Sequence, residues 1–360
     1  MQYEGLMEQL RVGIIGTGRI SDLHALEYLE NPRSKIVAVA DTNLEIAGAR
    51  AAKWGVPPDR VFGNYHDLLD LPDVDVVDIL LPHHLHYQAA LDAAAAGKHI
   101  SLQKPMALNV QQADEMTAAA HKAGVIFRVF ENFIFYPPIQ LAKSLIDAGE
   151  IGDLLTIRIK SNSGISQTAW PVPASAQAWR FDYAKNGGGP LVFDDGHHKF
   201  ALAWHFMGMA EEVHAWISQT EVAPGQFLDS PALVSWKFAH NRYGSLEVVN
   251  SPQMEINTIY YAQDDRVEIT GTKGVIWTTR GHGNMLDVPP VILYSGNQMR
   301  TFTNVLSDWK YSFMNATRHF IDCYFKGETP RLTGEDGREV LRFTLAAQES
   351  ARIGQAVRLG

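Results

Sequence analysis

Apolar positions in the first third of the chain alternate between two patterns. Short strand-length segments at 11–15, 35–40, 74–81, 98–102 and 125–130, most of them rich in apolar residues, are separated by the stretches 19–30, 43–54, 84–97 and 109–123, where apolar residues recur every three or four positions. Compact apolar runs bounded by turn residues predict strands buried on both faces, and the longer periodic stretches predict amphipathic helices. Gly97 and Gly124 stand where two of these helices should stop, because a left-handed terminal residue is cheapest as glycine. Strands alternating with helices predict a parallel, doubly wound α/β sheet of Rossmann type.

Beyond residue 130 the pattern changes. Pro137 opens an amphipathic helix over 137–148, Gly149 ends it, and 153–162 alternate as a strand. Residues 163–186 carry no period but hold Trp170, Trp179, Phe181 and Tyr183. A long loop in a compact domain is usually functional or disordered, and this aromatic content predicts an ordered one, either a substrate lid or a surface tie. From 212 to about 302, short β-branched and aromatic segments punctuated by Gly, Pro, Asn and Asp predict antiparallel strands with hairpins. Amphipathic helices over 307–327 and 334–353 close the chain. The expected organisation is a Rossmann domain over 1–130 and an α+β domain over 131–360, with the last helices packing back. At 360 residues the chain can fill two cores.

The first strand runs into Gly16-Thr-Gly-Arg-Ile20. Gly16 permits a tight turn and Gly18 lets the backbone approach a pyrophosphate, while the helix beyond Arg19 and Ile20 offers its first N–H groups to that anion. Ser21 replaces the third glycine of the usual loop but is small enough for close packing. The second strand ends at Asp41. A carboxylate there accepts from both ribose hydroxyls and repels a 2′-phosphate, and Thr42 and Asn43 supply no offsetting cation. The expected cofactor is NAD rather than NADP. The structural alternative for Asp41 is a cap of the helix over 43–54. The carboxyl ends of the strands should carry Gly16, Asp41, Pro82-His83-His84, Gln103-Lys104-Pro105 and Glu131-Asn132, where ligands bind in such sheets.

Composition narrows the partners. A net charge of −9 without a basic cluster excludes a nucleic-acid or anionic-membrane surface. The single cysteine, Cys323, cannot form an intrachain disulfide and falls in a helical pattern, as a buried inert thiol does. The first residues lack the basic and apolar regions of a signal peptide, and no apolar run approaches membrane length, so a cytoplasmic protein is expected.

The densest chemistry lies in Gly187-Gly-Gly-Pro-Leu-Val-Phe-Asp-Asp-Gly-His-His198. On a helix, Asp194 and His198 stand at i and i+4 and share a face, and such a pair can hold and deprotonate a hydroxyl. The alternatives are a solvated polar turn, or a metal held by Asp194, Asp195, His197 and His198 with Glu131 nearby. His282, between Gly281 and Gly283, reads as an exposed loop residue, the alternative being a turn residue that reaches the site.

Several motifs, in this order, are similar to those of the glucose–fructose oxidoreductase, inositol dehydrogenase and MocA (Gfo/Idh/MocA) family. They are Pro82-His-His-Leu-His86, Ala96-Gly-Lys-His-Ile100, Gln103-Lys-Pro105, Leu145-Ile-Asp-Ala-Gly-Glu-Ile-Gly152, Trp179-Arg180 with Gly187-Gly-Gly189, Asp194-Asp-Gly-His-His198 and Gly271-Thr-Lys-Gly274. The resemblance implies a C-terminal domain with an open, mainly antiparallel sheet flanked by helices. It implies oxidation or reduction of a hydroxyl or carbonyl on a sugar, cyclitol or glycoside, without a metal, and a homodimer or homotetramer formed through that sheet. Lys104, Asp194 and His198 fall on the catalytic positions, with His198 as base and Lys104 stabilising the alkoxide. Pro82, His83, His86 and Gln103 join Gly16, Gly18, Arg19, Ile20 and Asp41 on the cofactor, and Asn132, Tyr136, Trp179, Arg180, Asp195 and His197 face substrate. The chain departs from the pattern at Ser21, at His83 (usually Asn), at Gln103 (usually Glu) and at Ala201 (often Asp). Losing the Glu at 103 should leave the Lys104 ammonium less stabilised. Two other functions stay open: glycoside cleavage through transient oxidation by a retained NAD, and non-catalytic sensing of NAD or a sugar.

Overall fold

A computed structural model describes residues 9–359. The chain divides into two compact units, one formed by the sequence up to Phe130 with Phe313–Arg338, the other by Glu131–Ser312 with Glu339 onward.

In the first unit, β1 (Leu10–Ile15), β2 (Ser34–Ala40), β3 (Val61–Phe62), β4 (Val76–Ile79), β5 (His99–Gln103) and β6 (Phe127–Phe130) form one sheet in the order β3-β2-β1-β4-β5-β6. All neighbours are parallel. This is the doubly wound Rossmann order, whose reversal between β1 and β4 opens the ligand crevice. The intervening helices are α1 (Ser21–Glu30), α2 (Leu44–Trp54), α3 (Tyr65–Leu69), α4 (His83–Ala95) and α5 (Val110–Ala123). Leu10, Val12, Ile14 and Val39 are fully buried, and Phe320 and Ile321 from the helix Lys310–Lys326 join their cluster. Burial on both faces explains why apolar residues predominate in these strands, with Asp78, Ser101 and Arg128 buried among them. Gly124 ends α5 at φ 67°. The β3 strand and α3 are additions to the elements expected from the sequence. With two and five residues they are too short to show a period.

The second unit opens with α6 (Pro137–Asp147), β7 (Leu154–Ile165) and two four-residue helices, α7 (Ala174–Gln177) and α8 (Tyr183–Asn186), inside the long loop. Then come α9 (Gly196–Met207), β8 (Ala210–Ile217), the hairpin β9–β10 (Thr220–Ala223, Gln226–Leu228), β11 (Ala232–Phe238), β12 (Arg242–Glu255), β13 (Gln263–Gly271), β14 (Gly274–Thr278), β15 (Val291–Ser295), β16 (Gln298–Phe302) and β17 (Val357–Arg358). Nine strands form an open sheet in the order β16-β15-β14-β13-β7-β12-β11-β8-β17. Its ladders are antiparallel except for β7 with β12. Among the described residues no helix is long and apolar enough to cross a membrane.

The segment before α9 corrects the expected i, i+4 helix. Pro190–Asp195 is a π-helical turn, in which the Asp194 N–H reaches back five residues to the Gly189 carbonyl. The cause is long-range. The buried Asp229 carboxylate accepts the Leu191 and Val192 N–H groups, each at 2.7 Å. A Cβ on Gly189 would lie 2.0 Å from the Asp229 carboxyl carbon. Glycine is therefore what lets Asp229 cap the turn, and wound-out turns of this kind are frequent at functional sites.

Candidate active site

The ligand edge of the first unit begins at Gly16, whose φ of 92° favours glycine and whose Cβ would meet the Leu80 carbonyl at 2.6 Å. That contact joins the ends of β1 and β4. A Cβ at Gly18 would meet nothing within 4 Å, so the turn is open on that side. Ser21 is buried and its hydroxyl donates to the Gly18 carbonyl at 2.6 Å. Ile20 leads α1 without a side-chain cap, and the Ser21, Asp22 and Leu23 N–H groups turn back to the Gly18, Arg19 and Ile20 carbonyls at 3.1, 3.4 and 3.0 Å; Arg19 is half-buried. Asp41 accepts from the Thr17 N–H and hydroxyl at 2.7 and 3.0 Å and from the Asn43 N–H at 2.8 Å. The cap of α2 is Asn43, not Asp41. An uncapped helix start, a glycine turn open to solvent and a carboxylate ending β2 together fit a dinucleotide.

Pro82 precedes α4, and His83 opens it as a buried residue with its ring 5.6 Å from that of His86. His86 is fully buried, its ring nitrogens 2.8 and 2.9 Å from the Leu81 and Pro105 carbonyls. Burial pushes its imidazole down to about 3, and a neutral ring donates to only one of the two carbonyls. The half-buried Lys104 is followed by a cis bond to Pro105. Gln103 turns back on the chain: its Oε1 accepts the Lys104 N–H at 2.7 Å and its Nε2 lies 3.0 Å from His24 Nε2. Behind it, His24 Nδ1 meets Asp78 Oδ2 at 2.9 Å, Ser101 donates to Asp78 Oδ1 at 2.8 Å, and Arg128 donates to Ser101 at 3.1 Å. His24, Asp78, Ser101 and Arg128 are buried, and sequence reasoning missed this chain entirely.

In the second unit, Asp194 is buried and ion-paired to Arg180, whose guanidinium lies over the Trp179 ring at 4.8 Å. The loop 163–186 thus delivers a cation to the π-turn, and Trp170 packs edge-on against Tyr260 and Tyr261. His198 is buried, with Nδ1 2.7 and 2.8 Å from the two Glu131 carboxylate oxygens. Phe133 stacks on its ring at 4.4 Å.

Asp195 and His197 have separate surroundings. Asp195 accepts from the fully buried Lys199 at 2.7 Å and from Gln263, while Lys199 also lies 3.2 Å from Asp265. Burial alone would raise the Asp195 carboxyl, but Lys199, with His282 and His198, holds it below the ordinary range. Burial would likewise lower Lys199, yet Asp195 and Asp265 hold it above. His197 Nδ1 sits 3.5 Å from the Thr344 hydroxyl. Asn132 donates to the Ser312 hydroxyl at 2.7 Å, and the buried Tyr136 donates to the Ser307 carbonyl at 2.7 Å.

His282 corrects another expectation. It is 7% exposed rather than on an open loop, 3.8 Å from Asp265 and in edge contact with Phe133 and Trp309. Its two glycines were the overlooked signal. A Cβ on Gly281 would meet Asp265 at 2.7 Å and one on Gly283 the Gln263 carbonyl at 2.6 Å, so glycine is what lets the turn press onto β13. Glu131 was legible as a residue at the end of the last parallel strand and as a metal neighbour of the 194–198 cluster, not as the partner of His198.

Residues 10–131 match the family model described as an oxidoreductase family, NAD-binding Rossmann fold, and residues 143–359 match its C-terminal alpha/beta domain. The chain belongs to the Gfo/Idh/MocA oxidoreductase family. Its first unit is an NAD-binding domain. Myo-inositol 2-dehydrogenase of Thermotoga maritima is 27% identical over 354 residues, 97% of this chain and 98% of its own. Levoglucosan dehydrogenase of Pseudarthrobacter phenanthrenivorans is 29% identical over 300 residues, 75% of this chain and 73% of its own. A levoglucosan dehydrogenase solved with NADH and levoglucosan shares the fold, with a TM-score of 0.83, 23% identity and coverage of 98% and 100%.

Proposed function

We propose that the chain oxidises a ring hydroxyl of a sugar, cyclitol or glycoside with NAD, and reduces the matching ketone in reverse. The observation that carries this reading is the second unit's pair of buried side chains: a carboxylate, Asp194, held by Arg180, and an imidazole, His198, held at Nδ1. Alcohol oxidation needs a base for the hydroxyl proton and positive character near the developing alkoxide. His198 is the base, since an imidazole titrates near neutrality. Lys104 carries the positive charge. Asp194 accepts from a neighbouring hydroxyl, so a vicinal diol is the preferred substrate. The relatives named for myo-inositol and levoglucosan support a cyclic polyol. NAD, when bound, supplies the two-electron oxidant, and Gly16, Gly18, Arg19, Ile20 and Asp41 would hold it, with Asp41 selecting against a 2′-phosphate.

The test is turnover of NAD with the purified protein across free sugars, cyclitols and aryl glycosides. Lys104→Ala and His198→Ala should keep NAD affinity and lose about 10²–10⁴-fold in turnover. Parental turnover in both variants overturns the assignment, and activity with NADP alone overturns the role of Asp41.

A further inference from the structure

Glu131 follows β6 directly, and its carboxylate is 1% exposed. Oε1 accepts the Phe133 N–H at 2.8 Å and also lies 2.7 Å from His198 Nδ1, while Oε2 lies 2.8 Å from the same nitrogen. An ionised carboxylate only accepts hydrogen bonds, so Nδ1 of His198 must carry a proton. A neutral ring with hydrogen on Nδ1 has its lone pair on Nε2. The stacked Phe133 ring restricts the imidazole from its face.

We propose that Glu131 is the positioning residue of the site: it fixes His198 in the tautomer whose Nε2 accepts the substrate proton, and it balances the imidazolium that results. The inference rests on His198 as base. In the step, the substrate O–H bond breaks and an Nε2–H bond forms. The oxygen's electron pair closes the carbonyl as the carbinol C–H bond leaves with its electrons to NAD. The ring proton returns to water before the next turnover. Between buried groups the carboxylate–imidazolium pair is worth far more than in water, because little solvent screens it.

The isosteric variant gives a sharp outcome. In Glu131→Gln the amide oxygen is claimed by the Phe133 N–H. That puts the amide NH2 in the place of Oε2, 2.8 Å from His198 Nδ1, where it opposes a proton on Nδ1 and favours the Nε2–H tautomer, and it removes the charge that balances the imidazolium. In a Ser-His-Asp triad such a tautomer reversal costs about 10⁴-fold. We expect Glu131→Gln to lower kcat by about 10²–10⁴-fold, with KM and NAD affinity within a few-fold of the parent, and Glu131→Asp to recover much of the loss. Nitrogen-15 histidine spectra of the resting protein, with the signal assigned by its loss in His198→Ala, should show hydrogen on Nδ1 in the parent and on Nε2 in Glu131→Gln. A parent spectrum with hydrogen on Nε2 overturns the inference without reference to activity. Lost turnover in His198→Ala with none lost in Glu131→Gln overturns the inference alone. Parental turnover in both overturns His198 as the base as well.

Discussion

Asp229 is a single point on which the geometry of the π-turn depends. Its buried carboxylate accepts two backbone N–H groups at 2.7 Å, those of Leu191 and Val192. Burial pushes the carboxyl above its ordinary range, and these N–H groups oppose that rise. Asp229→Ala leaves the buried Val192 N–H and the half-buried Leu191 N–H without this acceptor. Hydrogen bonds to a charged group are worth about 1.5–3 kcal/mol each, so the loss of two is about 3–6 kcal/mol. For a unit of some 200 residues each kcal/mol moves Tm by about 2–4 °C, which predicts a fall of about 10 °C. Asn is no substitute, because its NH2 would face an N–H it cannot accept. Since the Asp194 N–H bonds Gly189 in the same turn, kcat should also fall at temperatures where both proteins are folded. Thermal unfolding by circular dichroism and steady-state kinetics measure the two effects. If Asp229→Ala melted within about 3 °C of the parent and kept its kcat, the account of why this segment winds as a π-turn would be wrong.

Two further outcomes follow from the buried polar groups. Gln103→Glu sets a carboxylate oxygen against His24 Nε2, whose Nδ1 already faces Asp78; histidine spectra should show His24 doubly protonated in the variant and protonated on Nδ1 only in the parent. A singly protonated His24 in Gln103→Glu refutes the hydrogen-bond polarity assigned to this chain. Burial first, and Asp265 second, push the Asp264 carboxyl up to about 7 from its ordinary 3.8. A raised folded-state value contributes stability that is complete below the unfolded value and is lost as pH rises through the folded one, at about 1.4 kcal/mol per unit. Denaturant titrations between those limits should therefore show the parent losing stability with rising pH relative to Asp264→Asn, and parallel curves would contradict this.

The sequence pattern located the parallel strands because each is buried on both faces, so a stretch such as 36–40 leaves an apolar trace. Asp41 was legible for a related reason: a polar residue that stops such a run stands at the sheet edge. The π-turn was not legible. Its cause is Asp229, forty positions from Gly189, and only the close approach at that glycine connects them. Three glycines stand in a row at 187–189, and nothing in the sequence marks Gly189 as the one fixed by contact with a carboxylate. His282 failed for the same reason, since two glycines beside a histidine read as an exposed turn until β13 is placed under them.

Hydrophobic patterning reports which apolar residues leave water and is silent on polar residues that leave with them. His24, Asp78, Arg128, Glu131, Lys199 and Asp265 are all buried, and buried groups of this kind are tolerated only when paired. Their pairing has a direction that residue types alone do not reveal. Gln103 shows the difference. From the sequence it is a missing negative charge beside Lys104. In the structure it is a donor that His24 Nε2 requires, because Asp78 holds the proton on Nδ1, and an acceptor for the Lys104 N–H. Each unit thus holds one imidazole at Nδ1 with a buried carboxylate: His24 by Asp78, His198 by Glu131. The same polarity has different consequences at the far nitrogen. Facing an amide, His24 Nε2 fixes the turn that carries Lys104, and in the reaction proposed for His198 the far nitrogen is the one that takes the proton.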